Sequence, residues 1–463
     1  IMSSISQMKI VDMGFSEALG IIKGQITILA MTEEERRAQC EKYAAELSLA
    51  PELAYEVMMK GALCPVLLFS KPGVGKTTAL KSLVTELNKT LPPERQWGFK
   101  KLDLATKTVG SLDGIPIPNS KEESGVMYEK IPELPYEGRD PEHGVILLDE
   151  ITTADVAQAV PALSITDSSR SIGKYKLPDG WLVVGAGNGP DCANFVQISD
   201  ASISRCSAIN ISYSFKDDWR PWARNHGIDP LILAYLSFQP ESIISGYSTE
   251  ETNDAGVGSL FACPRTWENL SCGLRLRAIT GNPVSADEML TFAGRFVGTE
   301  VGNKFAAFAR FRNDSVMSYY NAKDICEGKG TMASTLKSRM AEPITVEQYH
   351  IVFAGLLSQL QYAYSKYEGH ESDPKIKDMM FSYFANVLKW LFDVAECNML
   401  EYVIEAVVSI LGEVPGLSSI FLYDEEFDEN YCPEIDTFTR DHEEVLTAVS
   451  EHLRNMANKG KKA

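Results

Sequence analysis

The stretch "VLLFSKPGVGKTT", Val66 to Thr78, decides how this chain is read. Val66 to Phe69 run without a polar break, the composition of a strand buried on both faces of a parallel sheet. The loop that follows lies at the strand's carboxyl end, where open α/β sheets bind their ligands. Against the phosphate-loop pattern G-x-x-x-x-G-K-[ST], Ser70 replaces the first glycine, while Gly75, Lys76 and Thr77 match. Gly73 and Gly75 lack the Cβ atoms that would hold backbone N–H groups away from phosphate oxygens. A helix continuing through Ala79 to Leu87 adds its dipole at the same point. Pro72, Gly73, Val74, Gly75, Lys76, Thr77 and Thr78 are therefore the expected cradle for the phosphates of a nucleotide. Lys76 would reach the β- and γ-phosphates, and the Thr77 hydroxyl would take one position on Mg2+.

Outward from this loop, four more apolar or extended runs follow: "GFKKLDL" (98–104), "GVILLDEI" (144–151), "WLVVGAGN" (181–188) and "SAINISY" (207–213). Helical stretches separate them, so the expectation is a parallel sheet of five strands flanked by helices, an α/β fold. Upstream, residues 1–62 read as a helical lead-in, with a capping box at Thr32 to Glu35 and a new helix from Pro51. The Pro- and Gly-rich segment 111–136 is too long for a plain connection, and "SSRSIGKYKLPDG" (168–180) suggests a hairpin. Insertions of this kind usually carry a protein's specific function, although loop decoration is the plainer reading.

Asp149 and Glu150 end an apolar strand, and their roles differ by one position. Asp149 is expected to hold Mg2+ through water, and Glu150 to orient or deprotonate an attacking water on the γ-phosphate side. Asn188 closes the next strand, where a neutral amide can hydrogen-bond both the γ-phosphate and that water. Arg205 is the one basic residue between Asn188 and Lys216 and lies at the domain's edge, placed to reach a neighbour's site or to hold a structural salt bridge. From Phe215 the pattern turns helical, through "PRTWENLSCGLRLRAI" and "ADEMLTFAGRFVGTEVGNKFAAFARF", then helices near 345–366, 376–397 and 399–412. Residues 424–444 are strongly acidic, which usually means only a solvated run.

Composition bounds the rest. With 463 residues, 44% hydrophobic and 23% charged, the chain can hold two or three ordinary globular domains. No apolar run approaches twenty residues and no secretory signal is visible, so a cytoplasmic protein without a membrane span is expected. Nine scattered cysteines without a C-x-x-C pair fit reduced thiols. A net charge of −19 argues against a chain that coats nucleic acid.

From about residue 50 to 310 the chain resembles the AAA+ ATPases, and within them the MoxR group. The residues that carry this are the phosphate loop, "LLDEITTADVAQAVPALSITDSSRSIGKYKLPDGWLVVGAGN", the Arg205 segment and "FACPRTWENLS". Ser70 and Lys71 depart from the group's usual Gly-Pro. The resemblance implies an α/β nucleotide-binding domain over 63–214, a helical lid over 215–320, and the two segments at 111–136 and 168–180 as the group's β-hairpins. It leaves 345–463 as a C-terminal helical extension outside the match. It also implies Arg205 as an arginine finger acting in trans and Arg265 as a second sensor, where a helix-terminal surface ion pair is the alternative for Arg265. The activity so implied is Mg-ATP hydrolysis by a homo-oligomeric ring, a hexamer, that remodels a protein client, with a von Willebrand factor A-type domain protein as the implied partner. Two other classes fit the same loop: a nucleic-acid motor or loader, and a switch that binds nucleotide without turnover.

Overall fold

The apolar runs Val66–Ser70, Gly144–Asp149 and 181–187 form strands for the reason their composition suggests, since every residue in them is buried, whereas the strands Gly98–Asp103 and Ser207–Ser212 are only partly covered. The computed structural model describes residues 10–107 (45 and 47 apart), 112, 116–118, 126–128, 130–189 (155 apart), 192, 198–245, 260–310, 322–328, 345–367, 373–395, 406, 407, 409, 410 and 414. The acidic stretch 424–444 and most of the expected 399–412 helix lie outside these residues. The described residues divide into two units, 10–214 with 263–265, and 215–245 with 260–262 and 266 onward.

The first unit opens with a short strand, β1 (Val11–Gly14), and helices α1 (Phe15–Ala30), α2 (Glu33–Ala44) and α3 (Pro51–Ala62). The Thr32–Glu35 box is present reciprocally: Thr32 N donates to Glu35 Oε2 at 2.7 Å and Glu35 N to Thr32 Oγ1 at 3.2 Å. Then come β2 (Val66–Ser70), α4 (Lys76–Thr90), β3 (Gly98–Asp103), the pair β4 (Pro116–Pro118) and β5 (Val126–Tyr128), and β6 (Gly144–Asp149). After these follow α5 (Val156–Leu163), the pair β7 (Ser171–Ile172) and β8 (Tyr175–Lys176), β9 (Trp181–Asn188), α6 (Asp200–Ile203) and β10 (Ser207–Ser212). The main sheet runs β1-β10-β2-β9-β6-β3, and every neighbouring pair is parallel.

The sheet therefore has six strands where the sequence pattern predicts five, and the supposed helical lead-in supplies the sixth. β1 is only four residues long and pairs Val11 with Ile209 and Met13 with Ile211. A strand so short leaves no periodic signal of its own, and its pairing partner lies far along the chain.

Alternation along the inner strands divides two cores. Val66, Leu68, Val145, Leu147, Leu182 and Val184 face α1 and α4, where Ile22, Ile26, Leu80 and Val84 are buried. Leu67, Phe69, Ile146, Leu148 and Val183 face the other way, onto Ala159, Ala162 and Leu163 of α5. Each fully buried Leu, Val or Phe contributes about 1.5–3 kcal/mol relative to exposure, so β2 alone anchors the loop that follows it firmly. Gly185 and Gly187 of β9 allow close packing: a Cβ at Gly185 would meet Leu67 at 2.5 Å, and one at Gly187 would meet Thr152 at 2.8 Å.

Both expected insertions contain antiparallel pairs, β4 with β5 and β7 with β8. The 168–180 hairpin is not merely a projecting loop, because Ile172, Tyr175 and Leu177 are buried in the second core. Its turn, Gly173 and Lys174, is exposed. The two insertions touch: Tyr175 Oη donates to Pro135 O at 2.7 Å, Tyr136 meets Tyr175 edge-on at 5.1 Å, and the Lys174 ammonium lies 4.7 Å from the Tyr128 ring centre. Lys100 Nζ, on β3, donates to Pro132 O at 3.0 Å, which ties the first insertion to the sheet, and pairs with Asp140 just beyond it at 2.8 Å.

The second unit is helical, with α7 (Arg220–Asn225), α8 (Pro230–Phe238), α9 (Pro264–Ile279, of which the first two residues count with the first unit), α10 (Met289–Val297), α11 (Thr299–Arg310), α12 (Ala322–Cys326), α13 (Val346–Tyr367) and α14 (Pro374–Ala395). Trp267 donates its indole N–H to Ser242 O at 3.0 Å inside an aromatic cluster with Tyr235 and Phe305. The long pattern 286–311 splits at Gly298, whose φ of 83° ends α10. α12, α13 and α14 share their own core around Leu356, Phe384 and Leu391. Among the described residues no helix is long and apolar enough to cross a membrane.

Candidate functional site

Three adjacent parallel strands, β2, β9 and β6, end side by side, and their carboxyl ends bring together the residues singled out from the sequence. Ser70 pairs in register with Asn188, and Asp103 of β3 with Asp149. Strand order alone thus places the Lys76 loop at the end of β2, between β10 and the Asn188 end of β9, with Asp149 one strand beyond Asn188.

The loop has the backbone of an anion cradle. Gly73 and Gly75 both take positive φ, 82° and 91°, a region that side chains with a Cβ rarely enter. Gly75 is the N-cap of α4, and Ala79 N donates back to its carbonyl at 2.9 Å. Gly73 has a second constraint that the sequence does not reveal: a Cβ there would sit 2.4 Å from Cys263 Sγ.

Lys76 is buried, and its ammonium donates to Ser70 Oγ at 2.8 Å. Ser70 Oγ donates in turn to Lys71 O at 2.8 Å, which gives the residue that departs from the fingerprint a definite task. Burial pushes Lys76 down to about 8, against the opposing pull of the Asp149 and Glu150 charges. A buried cation with a single serine partner is well suited to an incoming polyphosphate, which would restore its solvation and its charge.

Thr77 Oγ1 donates to Asp149 Oδ2 at 3.1 Å, so the two expected metal positions are in contact. A hydroxyl and a carboxylate are hard oxygen donors, the set Mg2+ prefers. The same Oδ2 is 2.9 Å from Lys101 Nζ, a partner that the sequence reading did not single out. Burial acts to lower Lys101, but the hydrogen bond and charge of Asp149, joined by Asp103, outweigh it and raise its pKa.

Glu150 sits at a φ of 59°, uncommon for a residue with a side chain, and Thr153 Oγ1 donates to its Oε2. The next residue but one, Thr152, is fully buried and grips the end of β9: it accepts from Asn188 N at 2.6 Å and donates to Asn188 O at 3.2 Å. Two consecutive threonines after "LLDEI" are the signal that could have pointed to this clamp.

Arg265 opens α9 beside the loop. Its N–H donates to Gly73 O at 3.2 Å, and its charge adds to the forces lowering Lys76. Arg205 lies elsewhere, just ahead of Ser207, which pairs with Val66 at the opposite end of β2 from the phosphate loop. It forms an ion pair with Asp167 at 2.6 Å, without hydrogen-bond alignment, and is about half exposed. The structure thus gathers Gly73, Gly75, Lys76, Thr77, Asp149, Glu150, Asn188 and Arg265 into one region and leaves Arg205 apart.

No protein-family model and no curated protein matches the chain. Among solved structures it is similar to a candidate ATPase from Cytophaga hutchinsonii (14% identity, TM-score 0.26, covering 63% of this chain and 87% of that one). It is also similar to a full-length MCM homolog from Methanopyrus kandleri (11%, 0.21, 59% and 60%) and to Drosophila ORC bound to DNA (14%, 0.23, 76% and 82%). At scores this low none of the three bears on what the chain does. The strand order and the loop geometry are what make this a phosphate-loop α/β fold with a helical region after it.

Proposed function

We propose that the chain is a Mg-ATP-dependent ATPase of the AAA+ class and MoxR type, which works as a homo-oligomeric ring, a hexamer, and couples hydrolysis to remodelling of a protein client in the cytoplasm. The observation that carries this reading is the convergence of Lys76, Thr77, Asp149, Glu150 and Asn188 at the ends of three neighbouring parallel strands. Bound Mg2+ would neutralise charge shared by the β- and γ-phosphates. The chain's own residues divide the remaining work. The Gly73–Gly75 backbone and Lys76 bind the phosphates, while Thr77 and Asp149 hold the metal.

Glu150 orients or deprotonates the attacking water, and its carboxylate is positioned by the hydrogen bond that Oε2 accepts from the Thr153 hydroxyl. Asn188 fixes the same water from the adjoining strand, at a height set by Thr152. Arg265 adds positive charge over the loop from within the same chain. Arg205, exposed at the far edge, serves a neighbouring subunit as an arginine finger in this reading. The exposed Lys174 turn and the first insertion are the surfaces offered to a client, for which a von Willebrand factor A-type domain is the candidate.

The test is a Glu150→Gln trap. It should bind ATP, hydrolyse it at a small fraction of the wild-type rate, and retain client protein that mass spectrometry identifies after affinity capture. Turnover at the wild-type rate would overturn the assignment of Glu150. Stimulation of turnover by DNA or RNA, with no protein retained, would favour a nucleic-acid motor.

A further inference from the structure

We propose, resting on the nucleotide reading above, that Lys101 is a resident counter-cation of Asp149 which a divalent ion has to displace, so that this lysine sets the affinity of the metal position. Asp149 Oδ2 accepts from Thr77 Oγ1 at 3.1 Å and lies 2.9 Å from Lys101 Nζ. A metal held by Thr77 and, through water, by Asp149 would therefore compete for the oxygen that the ammonium holds, and two cations this close repel each other. The fold supplies the means of release. Lys101 stands on β3, the edge strand, and its side chain is 40% exposed. A second carboxylate, Asp103 Oδ2, lies 3.5 Å from the same Nζ. Lys101 can thus pass from Asp149 to Asp103 without becoming unpaired.

The arrangement is built rather than incidental in its geometry. Asp103 is in register with Asp149 across β3 and β6, so the two carboxylates stand side by side with Lys101 two residues back along the edge strand. The ammonium holds Asp149 and Thr77 in place as one group, and its departure hands a preformed oxygen pair to the metal. Lys101 is a positioning residue in this scheme, since it acts through the Asp149 carboxylate.

Mn2+ is the probe, followed by electron paramagnetic resonance on the full-length protein, both nucleotide-free and loaded with ADP. Lys101→Met should bind Mn2+ about tenfold more tightly, the change one modest charge interaction makes. Lys101→Arg, which keeps the charge, should stay within about twofold of wild type. Asp103→Asn removes the alternative partner and should weaken Mn2+ binding several-fold. ADP binding in EDTA, measured by calorimetry, should be the same in all four proteins. Unchanged or weaker Mn2+ binding by Lys101→Met, in protein with a wild-type melting curve, would overturn the proposal. Failure of the wild type to bind ADP in EDTA would instead overturn the nucleotide reading, and the Mn2+ comparison on nucleotide-free protein would still decide the role of Lys101.

Discussion

The Thr152 hydroxyl holds both backbone groups of Asn188, accepting from the N–H at 2.6 Å and donating to the carbonyl at 3.2 Å. The end of β9, with Asn188, is thereby locked by a single side chain to the segment that carries Glu150, and these two residues act on one water in the proposed mechanism. Thr152→Val keeps the shape and removes both bonds. It should cost about 1–3 kcal/mol, the desolvation penalty of buried groups left unpaired, read as a lower melting temperature. ATP affinity should persist while turnover falls, because the clamp sets Asn188 and not the phosphate loop. Unchanged turnover would show that the amide's height does not matter.

Gly73 is constrained twice, by a φ of 82° and by the Cys263 sulfur. Gly73→Ala should therefore weaken nucleotide binding strongly and destabilise the fold by about 1–3 kcal/mol through backbone strain alone. Adding Cys263→Ala relieves the steric part but not the dihedral part, so the double variant should recover only partly. Full recovery in calorimetry would mean that the left-handed conformation is dispensable.

His143 is held neutral: burial lowers its pKa below the ordinary value, Glu142 opposes this, and Arg36 and Arg95 reinforce it. It stacks on Trp97, with ring centres 5.8 Å apart. A group whose folded pKa is depressed binds more protons when unfolded, so its contribution to stability is complete above about pH 6.5 and is lost as the pH falls below that. Denaturant midpoints should decline from pH 7 towards 5, and His143→Phe should flatten that slope. An unchanged slope would assign the acid sensitivity to other groups.

Arg205 and Asp167 form an exposed pair, the kind worth less than about 1 kcal/mol. Arg205→Ala should thus leave the melting curve almost unmoved and ATP binding intact. A guanidinium acting in trans is typically worth about 10³ to 10⁵ in rate, so turnover should nearly vanish. Mixing Arg205→Ala with Lys76→Ala subunits, each inactive alone, should restore turnover at interfaces where an intact Lys76 meets an intact Arg205. No recovery in mixed assemblies verified by native mass spectrometry would leave Arg205 as a structural residue.

Much of this site was legible because its parts are local. Val66 to Thr78 contains a strand, a turn and a helix start whose chemistry depends on residues a few positions apart, and Asp149 with Glu150 is marked by the apolar run before it. β1 was not legible, since four residues gain their structure only from pairing with 209–212. Lys101 was hidden by its surroundings: in "GFKKLDL" it looks like an exposed residue of an extended run, and only the β3–β6 register sets it against Asp149. The Cys263–Gly73 contact joins residues 190 positions apart, and nothing in either local stretch announces it.

The position of β1 also bears on how the chain reaches its native state. Val11 pairs with Ile209, so β1, the earliest strand of the sheet among the described residues, waits for β10, the latest. Between them, β2 bonds to β10 and β9, and none of its partners is adjacent in the chain. Sheets assembled from such distant segments close slowly, because loop entropy is lost before the pairings compensate. During synthesis the amphipathic α1 is thus exposed without its strand partners, a period in which a holdase or the growing α4 has most to protect. Pulse proteolysis of stalled nascent chains should show resistance appearing only once residues beyond 212 have left the exit tunnel.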